Sequence, residues 1–225
     1  MKNGGGAGRR PHQRSTPRGN RTPATAVKGP RADRYTMGAG VPESNQELSA
    51  LLAGVWLARH GETDYNAGRR FQGLLPVGLN ATGRVQAGQL AELAVARGFV
   101  NLWCSPLVRA RETAEIVGER IGLSPVEDVR LVETDTGDWT GRLWSEVEAE
   151  DPEGMAAFLA ADPDFGFPGG ETYAQQTARV MEALVEIARG PKPVLVVCHG
   201  MVIRLTVIAL GRGNRGVRNA ALIEL

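Results

Sequence analysis

Short apolar runs alternate along the chain with longer stretches in which apolar residues recur every three or four positions. Val55-Trp56-Leu57-Ala58, Leu102-Trp103-Cys104 and Val194–Cys198 read as buried strands. Each ends abruptly in polar or turn residues, at Arg59-His60-Gly61, Ser105-Pro106 and His199-Gly200. Between them lie helical patterns. Residues 81–97 carry Val85, Leu90, Leu93, Ala94 and Ala96 among polar positions and stop at Gly98. Residues 107–121 set Val108, Ala114, Val117 and Ile121 on one side, and residues 171–189 set Val180, Leu184, Val185 and Ile187 on one side. Residues 143–161 predict two short helices broken at Asp151-Pro152, since proline cannot continue a helix from the preceding turn. Residues 201–210 predict an apolar helix and residues 43–53 a short helix leading into the domain. Val129-Arg130-Leu131-Val132 predicts a weaker strand, and residues 220–225 a last one. Strands that alternate with helices predict an α/β fold: a three-layer α/β/α arrangement with a mostly parallel central sheet covered on both faces.

Charge divides the chain. The total is 26 Lys and Arg against 25 Asp and Glu, a formal +1. Residues 1–36 hold nine basic groups and one acid, Asp33, hence +8; the remainder has 17 basic and 24 acidic groups, hence −7. The basic segment is rich in Gly and Pro, and Val27 is its one branched aliphatic, so it has too little apolar surface to offset the entropy of ordering. The expected organisation is a disordered basic tail and lead-in over 1–50 and one folded domain over 51–225. Basic arms bind polyanions by charge, but Tyr35 is the segment's single aromatic, so nucleic acid is not the expected partner.

Composition excludes further classes. A hydrophobic share of 42% is that of a globular chain. Two cysteines cannot build a disulfide framework or a Cys-rich zinc site. No apolar run approaches the roughly 20 residues of a spanning helix, and the first 36 residues lack the apolar block of a secretory signal. A cytoplasmic location without membrane contact is the expectation.

The chemistry gathers at strand ends. An open parallel sheet places its site beyond the carboxyl ends of its strands. There the first strand ends in Arg59-His60, the second runs on to Arg109, the weak third ends in Glu133, and the last ends in His199-Gly200. Two of the three histidines thus sit at the ends of the two strongest strands. Two arginines make an anion site, because the guanidinium fork matches phosphate oxygens. A neutral imidazole beside them is a nucleophile for phosphorus, and a carboxyl group can protonate the leaving oxygen. Phosphoryl transfer can run on these parts without metal or cofactor.

The motifs that hold these residues resemble, in order, those of the histidine phosphatase superfamily, also called phosphoglycerate-mutase-like. Arg59-His60-Gly61-Glu62-Thr63 with Asn66 is similar to its opening motif, and Phe71-Gln72-Gly73 to the next loop. Ser105-Pro106-Leu107-Val108-Arg109-Ala110 is similar to its second arginine motif, and Leu131–Gly141 to its acid-bearing motif. Pro168-Gly169-Gly170-Glu171-Thr172 and Val196-Val197-Cys198-His199-Gly200 resemble its last two. The resemblance covers residues 55 to about 210. It implies that His60 is the nucleophile and that Arg59, Arg109 and His199 hold the phosphoryl oxygens. It further implies hydrogen bonds from Asn66 and the backbone at Gly200-Met201, proton transfer by Glu133, and a pocket lined by Thr63, Gln72 and Gly73. Glu171 is expected to be an ordinary first-turn acid of its helix.

Two places depart from the pattern. Pro76 and Gly78 stand where the family usually has an Asp and then a Pro. The end of the chain looks short, so some last-strand pairing or oligomer contact is expected to be missing. No insertion follows Glu133, so the resemblance points to the phosphatase branch. The expected substrate is a small phosphorylated metabolite: a sugar phosphate, a glycosyl-phosphoglycerate or α-ribazole phosphate. A phosphoglycerate mutase and a non-catalytic phosphate-binding module are the alternatives. Trp144, Phe158, Phe165 and Phe167 are expected to form either an apolar lid or plain core, and the oligomeric state is left open, with a dimer as one outcome.

Overall fold

A computed structural model of the protein describes Met1, Val41, Pro42 and residues 44–225; the expected tail falls outside the described residues. Five strands form one sheet in the order β3-β2-β4-β1-β5. They are β1 (Val55–Arg59), β2 (Asn101–Cys104), β3 (Val126–Glu127), β4 (Val194–Cys198) and β5 (Leu222–Glu224). The first four are parallel; β5 runs antiparallel beside β1. Eight α-helices are seen among the described residues: α1 (Asn45–Leu52), α2 (Asp64–Ala67), α3 (Ala81–Val95), α4 (Val108–Ile121), α5 (Trp144–Glu150), α6 (Pro152–Ala160), α7 (Tyr173–Ala188) and α8 (Gly200–Ala209).

The pleat sorts the strand residues between two helical layers. Val55 and Leu57 of β1 and Val194, Val196 and Cys198 of β4 pack with α1, α7 and α8. Ala58, Leu195 and Val197, with Leu102 and Cys104 of β2, pack on the other face with α3 and α4. All five residues of β4 are buried. That two-sided burial is why the central strands are unbroken apolar runs, and it makes the fold the expected three-layer α/β/α.

Three local expectations are corrected. Residues 129–132 form no strand: Val129–Leu131 is a 3-10 turn, and the edge strand is the exposed pair Val126–Glu127 just before it. The Asp128 carboxylate accepts the Arg130 N–H at 2.8 Å and closes that turn, while Leu131 is buried against α7. On α3, Val85 and Leu93 are exposed at 63% and 50%. The buried face is made of small residues, Gly83, Ala87, Ala91 and Ala94, with Leu90. The loop after β1 demands it, because a Cβ on Gly83 would lie 2.0 Å from the Glu62 carbonyl oxygen. Last-strand pairing is present, with Trp56, Leu57 and Ala58 opposite Glu224, Ile223 and Leu222.

Candidate active site

β1 and β4 are neighbours in register, with Arg59 opposite Cys198, so the residues that follow them meet. The His60 and His199 rings lie edge to face, 5.2 Å between centroids, and both are fully buried. A cavity of about 400 Å³ is lined by Arg59, Arg109, Glu133, Asn66, Gln72 and Gly73, among others; the two histidines are not among its lining residues and lie buried beside Arg59 and Gly200, which are. Gly200 and Met201, the first residues of α8, complete that wall. A Cβ on Gly200 would sit 3.3 Å from Arg59 Nε, so the missing side chain is what lets the guanidinium lie across the helix start.

Hydrogen bonds fix the imidazoles. His60 Nδ1 lies 2.7 Å from the Gly61 carbonyl oxygen, which can only accept, so Nδ1 carries the ring proton. The Nε2 lone pair is thereby left free. His199 Nε2 lies 2.7 Å from Ser105 Oγ, which itself accepts the Leu107 N–H at 3.2 Å. The Ser105 hydroxyl has one proton and two lone pairs, so it can serve either tautomer of the His199 ring while fixing where the ring points. Ser105, fully buried, orients the second histidine.

The arginines are held by backbone. Arg109, 1% exposed, donates to the carbonyls of Leu75 at 3.0 Å and Gly73 at 2.8 Å. Those bonds, with the Leu79 N–H donated to Glu112, pin the loop that contains Pro76 and Gly78 to α4. Arg59 donates to the Val217 carbonyl. Three buried nitrogens here have no partner among the described residues: Arg59 Nε, Arg109 Nε and His199 Nδ1. Burying a polar nitrogen unpaired costs about 1–3 kcal/mol, so the two guanidinium donors near both imidazoles suit an acceptor-rich group. Burial pushes the Arg109 pKa down to about 10, still cationic at neutral pH.

Glu133 is half-buried in the same wall. Its Oε1 accepts the Thr134 N–H at 3.0 Å, and Oε2 faces the Met201 N–H at 3.4 Å. Its backbone is braced from α7. Arg179 donates to the carbonyls of Arg130, Val132 and Glu133 and pairs with Glu171, Nε to Oε1 at 2.7 Å. Glu171 therefore precedes the N-cap Thr172 and anchors Arg179; it is not a residue of the first helical turn.

Thr63 is also placed differently from expectation. It does not line the cavity; it is fully buried as the N-cap of α2, in a reciprocal capping box with Asn66. The aromatic residues pack as a cluster that also lines the cavity. Trp144, Phe158 and Phe167 line the cavity, while with Phe71, Trp139 and Phe165 they form one packed cluster. Phe165 itself faces the cluster rather than the cavity.

Both imidazoles titrate well below their ordinary 6.5, first because of burial and then because Arg109 lies near each. In the unfolded chain they take up protons near 6.5, and the folded protein refuses them. The unfolded state thus binds more protons as pH falls, and stability falls with it. The thermal midpoint is expected to drop between about pH 6.5 and pH 5, with a shallower slope in His199→Asn. Scanning calorimetry across that range checks it; a flat midpoint would mean the folded rings are charged.

A buried α/β site with paired histidines, paired arginines and one carboxylate defines a class, and the comparisons with known proteins agree. The chain belongs to the histidine phosphatase superfamily (branch 1), whose family model matches residues 55–222. It is 37% identical over 164 residues to a glucosyl-3-phosphoglycerate phosphatase of Mycobacterium tuberculosis, covering 68% of this chain and 73% of that one. A Klebsiella pneumoniae protein named probable phosphoglycerate mutase is 37% identical over 152 residues, 66% of this chain and 70% of its own. Among solved structures, a mycobacterial glucosyl-3-phosphoglycerate phosphatase complexed with VO3 superposes with a TM-score of 0.68 at 34% identity, covering 75% of this chain and 88% of that one. Among the described residues no helix is long and apolar enough to cross a membrane.

Proposed function

We propose that the protein hydrolyses phosphomonoesters in two transfers, without a metal ion. In the first, the His60 Nε2 lone pair forms the N–P bond as the P–O bond to the leaving group breaks, and Glu133 as carboxylic acid protonates the leaving oxygen. In the second, the Glu133 carboxylate takes a proton from water, whose oxygen bonds to phosphorus as the N–P bond breaks and inorganic phosphate leaves. Arg59, Arg109 and His199 hold the phosphoryl oxygens, and the guanidiniums supply the positive charge a cation would otherwise bring. The observation that carries this reading is the set of buried nitrogens with no partner among the described residues, Arg59 Nε, Arg109 Nε and His199 Nδ1, together with a His60 ring whose Nδ1 is held by Gly61.

The substrate is proposed to be a small metabolite monoester. The cavity beyond the phosphoryl site has an aromatic side, with Phe71, Trp144, Phe158 and Phe167, and a cationic rim, with Arg70 and Arg204. A sugar ring with a second anionic group suits both, which favours the glycosyl-phosphoglycerates and sugar phosphates over simple alkyl esters. A phosphate-release screen over glucosyl-3-phosphoglycerate, sugar phosphates and α-ribazole phosphate tests this, with His60→Ala protein as the blank. Release from a member of that panel is the expected result. The same protein is assayed for interconversion of 2- and 3-phosphoglycerate. Interconversion far faster than hydrolysis would replace the phosphatase reading with the mutase one, which the name of the Klebsiella relative favours.

A further inference from the structure

Asn219 lies just before β5, at the opposite end of the chain from the opening motif, yet its Nδ2 donates at 3.1 Å both to the His60 carbonyl oxygen and to Asn66 Oδ1. The identity of each atom follows from chemistry. The Thr63 backbone N–H, which can only donate, points at Asn66 Oδ1 at 3.2 Å, so that atom is the oxygen. The Asn219 atom that meets both this oxygen and a carbonyl must then be the amide nitrogen. Thr63 N and Asn219 Nδ2 both donate to that oxygen, and the Thr63 hydroxyl lies 3.2 Å from it as well. Asn66 lines the cavity, and its remaining polar group, the Nδ2 amino group, has no partner among the described residues.

We propose that Asn219 is a positioning residue for phosphoryl transfer: together with the Thr63 backbone N–H it holds the Asn66 amide with its oxygen turned inward to the protein, so that a donor faces the phosphoryl group, and it holds the His60 backbone. This rests on the phosphatase reading of the site. The network continues through Thr63. Its hydroxyl accepts the Asn66 N–H at 3.2 Å and faces two amide oxygens, Gln72 Oε1 at 3.0 Å and Asn66 Oδ1 at 3.2 Å. Gln72, which also lines the cavity, is tied to the same hydroxyl. A dianionic phosphoryl group offers only acceptors, so an amide oxygen facing it would repel it, and the hydrogen bond from the Asn66 amino group strengthens as charge builds on the equatorial oxygens. The second bond, to the His60 carbonyl, is shared with the Ala220 N–H at 3.2 Å. The segment before β5 thus grips the nucleophile's own peptide.

Asn219→Asp and Asn219→Ala separate this role from a merely structural one. Aspartate keeps the shape and exchanges the donor for an acceptor that regains a proton in acid. Inhibition by vanadate, a mimic of the five-coordinate transition state, is compared with inhibition by inorganic phosphate. In both variants at pH 7.5 (a chosen assay condition, roughly a unit above the ordinary imidazole pKa) vanadate should weaken about tenfold or more, and phosphate under about threefold. The activity of Asn219→Asp relative to the unmodified protein should rise as pH falls, whereas that of Asn219→Ala should not. Equal weakening of both inhibitors, or a pH-independent ratio for Asn219→Asp, would overturn the proposal. Calorimetric titration with vanadate and with phosphate gives the same comparison without turnover. A protein that hydrolyses no ester would therefore sink the phosphatase reading alone, and a protein that hydrolyses esters unaffected by either variant would sink this one alone.

Discussion

His60→Ala is expected to lower phosphate release by at least about three orders of magnitude and to abolish acid-labile, base-stable labelling of the protein by a phosphorylated substrate. The size of the effect follows from geometry. His60 is the imidazole whose Nδ1 is committed to the Gly61 carbonyl, which leaves Nε2 as its nucleophilic atom. Burial beside Arg109 and Arg59 keeps that ring neutral far into the acid range. His199 is held differently, with its Nε2 engaged by Ser105. Rapid-quench labelling with a ³²P-labelled ester, followed by acid and alkali stability tests, gives the result. Undiminished labelling of the alanine variant would move the nucleophile elsewhere. Loss of labelling in His199→Asn, with phosphate binding weakened as well, would agree with an oxygen-holding role for that ring.

What the sequence made legible, and what it hid, divides by the kind of force involved. β1 and β4 are buried on both faces, so they had to be continuous apolar runs, and the polar residues that end them stood out at once as Arg59-His60 and His199. β3 lies at the sheet edge with both residues exposed, so no burial pattern marked it. The strand expected at 129–132 yielded to a side-chain bond from Asp128. On α3 the large residues misled because the inner face needs room for the Glu62 loop, and small residues supply it. At the site, the motif residues reach one cavity, but their orienters do not announce themselves. Ser105 ends a strand, by the same rule that marked the histidines, and that was the one available signal. Asn219 is 153 positions from Asn66, and a hydrogen bond across that separation leaves no periodicity to read. The motif resemblance implies a pocket position for Thr63, whereas it is buried as the N-cap of α2.

Glu133→Gln should divide substrates by their leaving groups. Glutamine keeps the shape and retains an oxygen that can accept the Thr134 N–H as Oε1 does, but it neither gives nor takes a proton. An alkyl or sugar hydroxyl leaves as a strongly basic alkoxide unless protonated, so hydrolysis of such esters should fall by about two to four orders of magnitude, the range general acid catalysis supplies. A nitrophenolate needs no proton to depart, so the first transfer from p-nitrophenyl phosphate should proceed at nearly its normal rate. The second transfer still requires a base for water, whichever ester donated the phosphoryl group. The variant is therefore expected to release a burst of nitrophenolate of about one equivalent per site and then stall, with phosphohistidine accumulating on His60. That combination, a steep leaving-group dependence in the first step and a trapped intermediate in the second, is specific to one carboxyl group acting in both directions. A variant that slows both esters equally and shows no burst would assign Glu133 an electrostatic task only. In that case its Coulombic tie to Arg59 and Arg109 would be its whole contribution, and the proton would have to come from solvent at the cavity mouth.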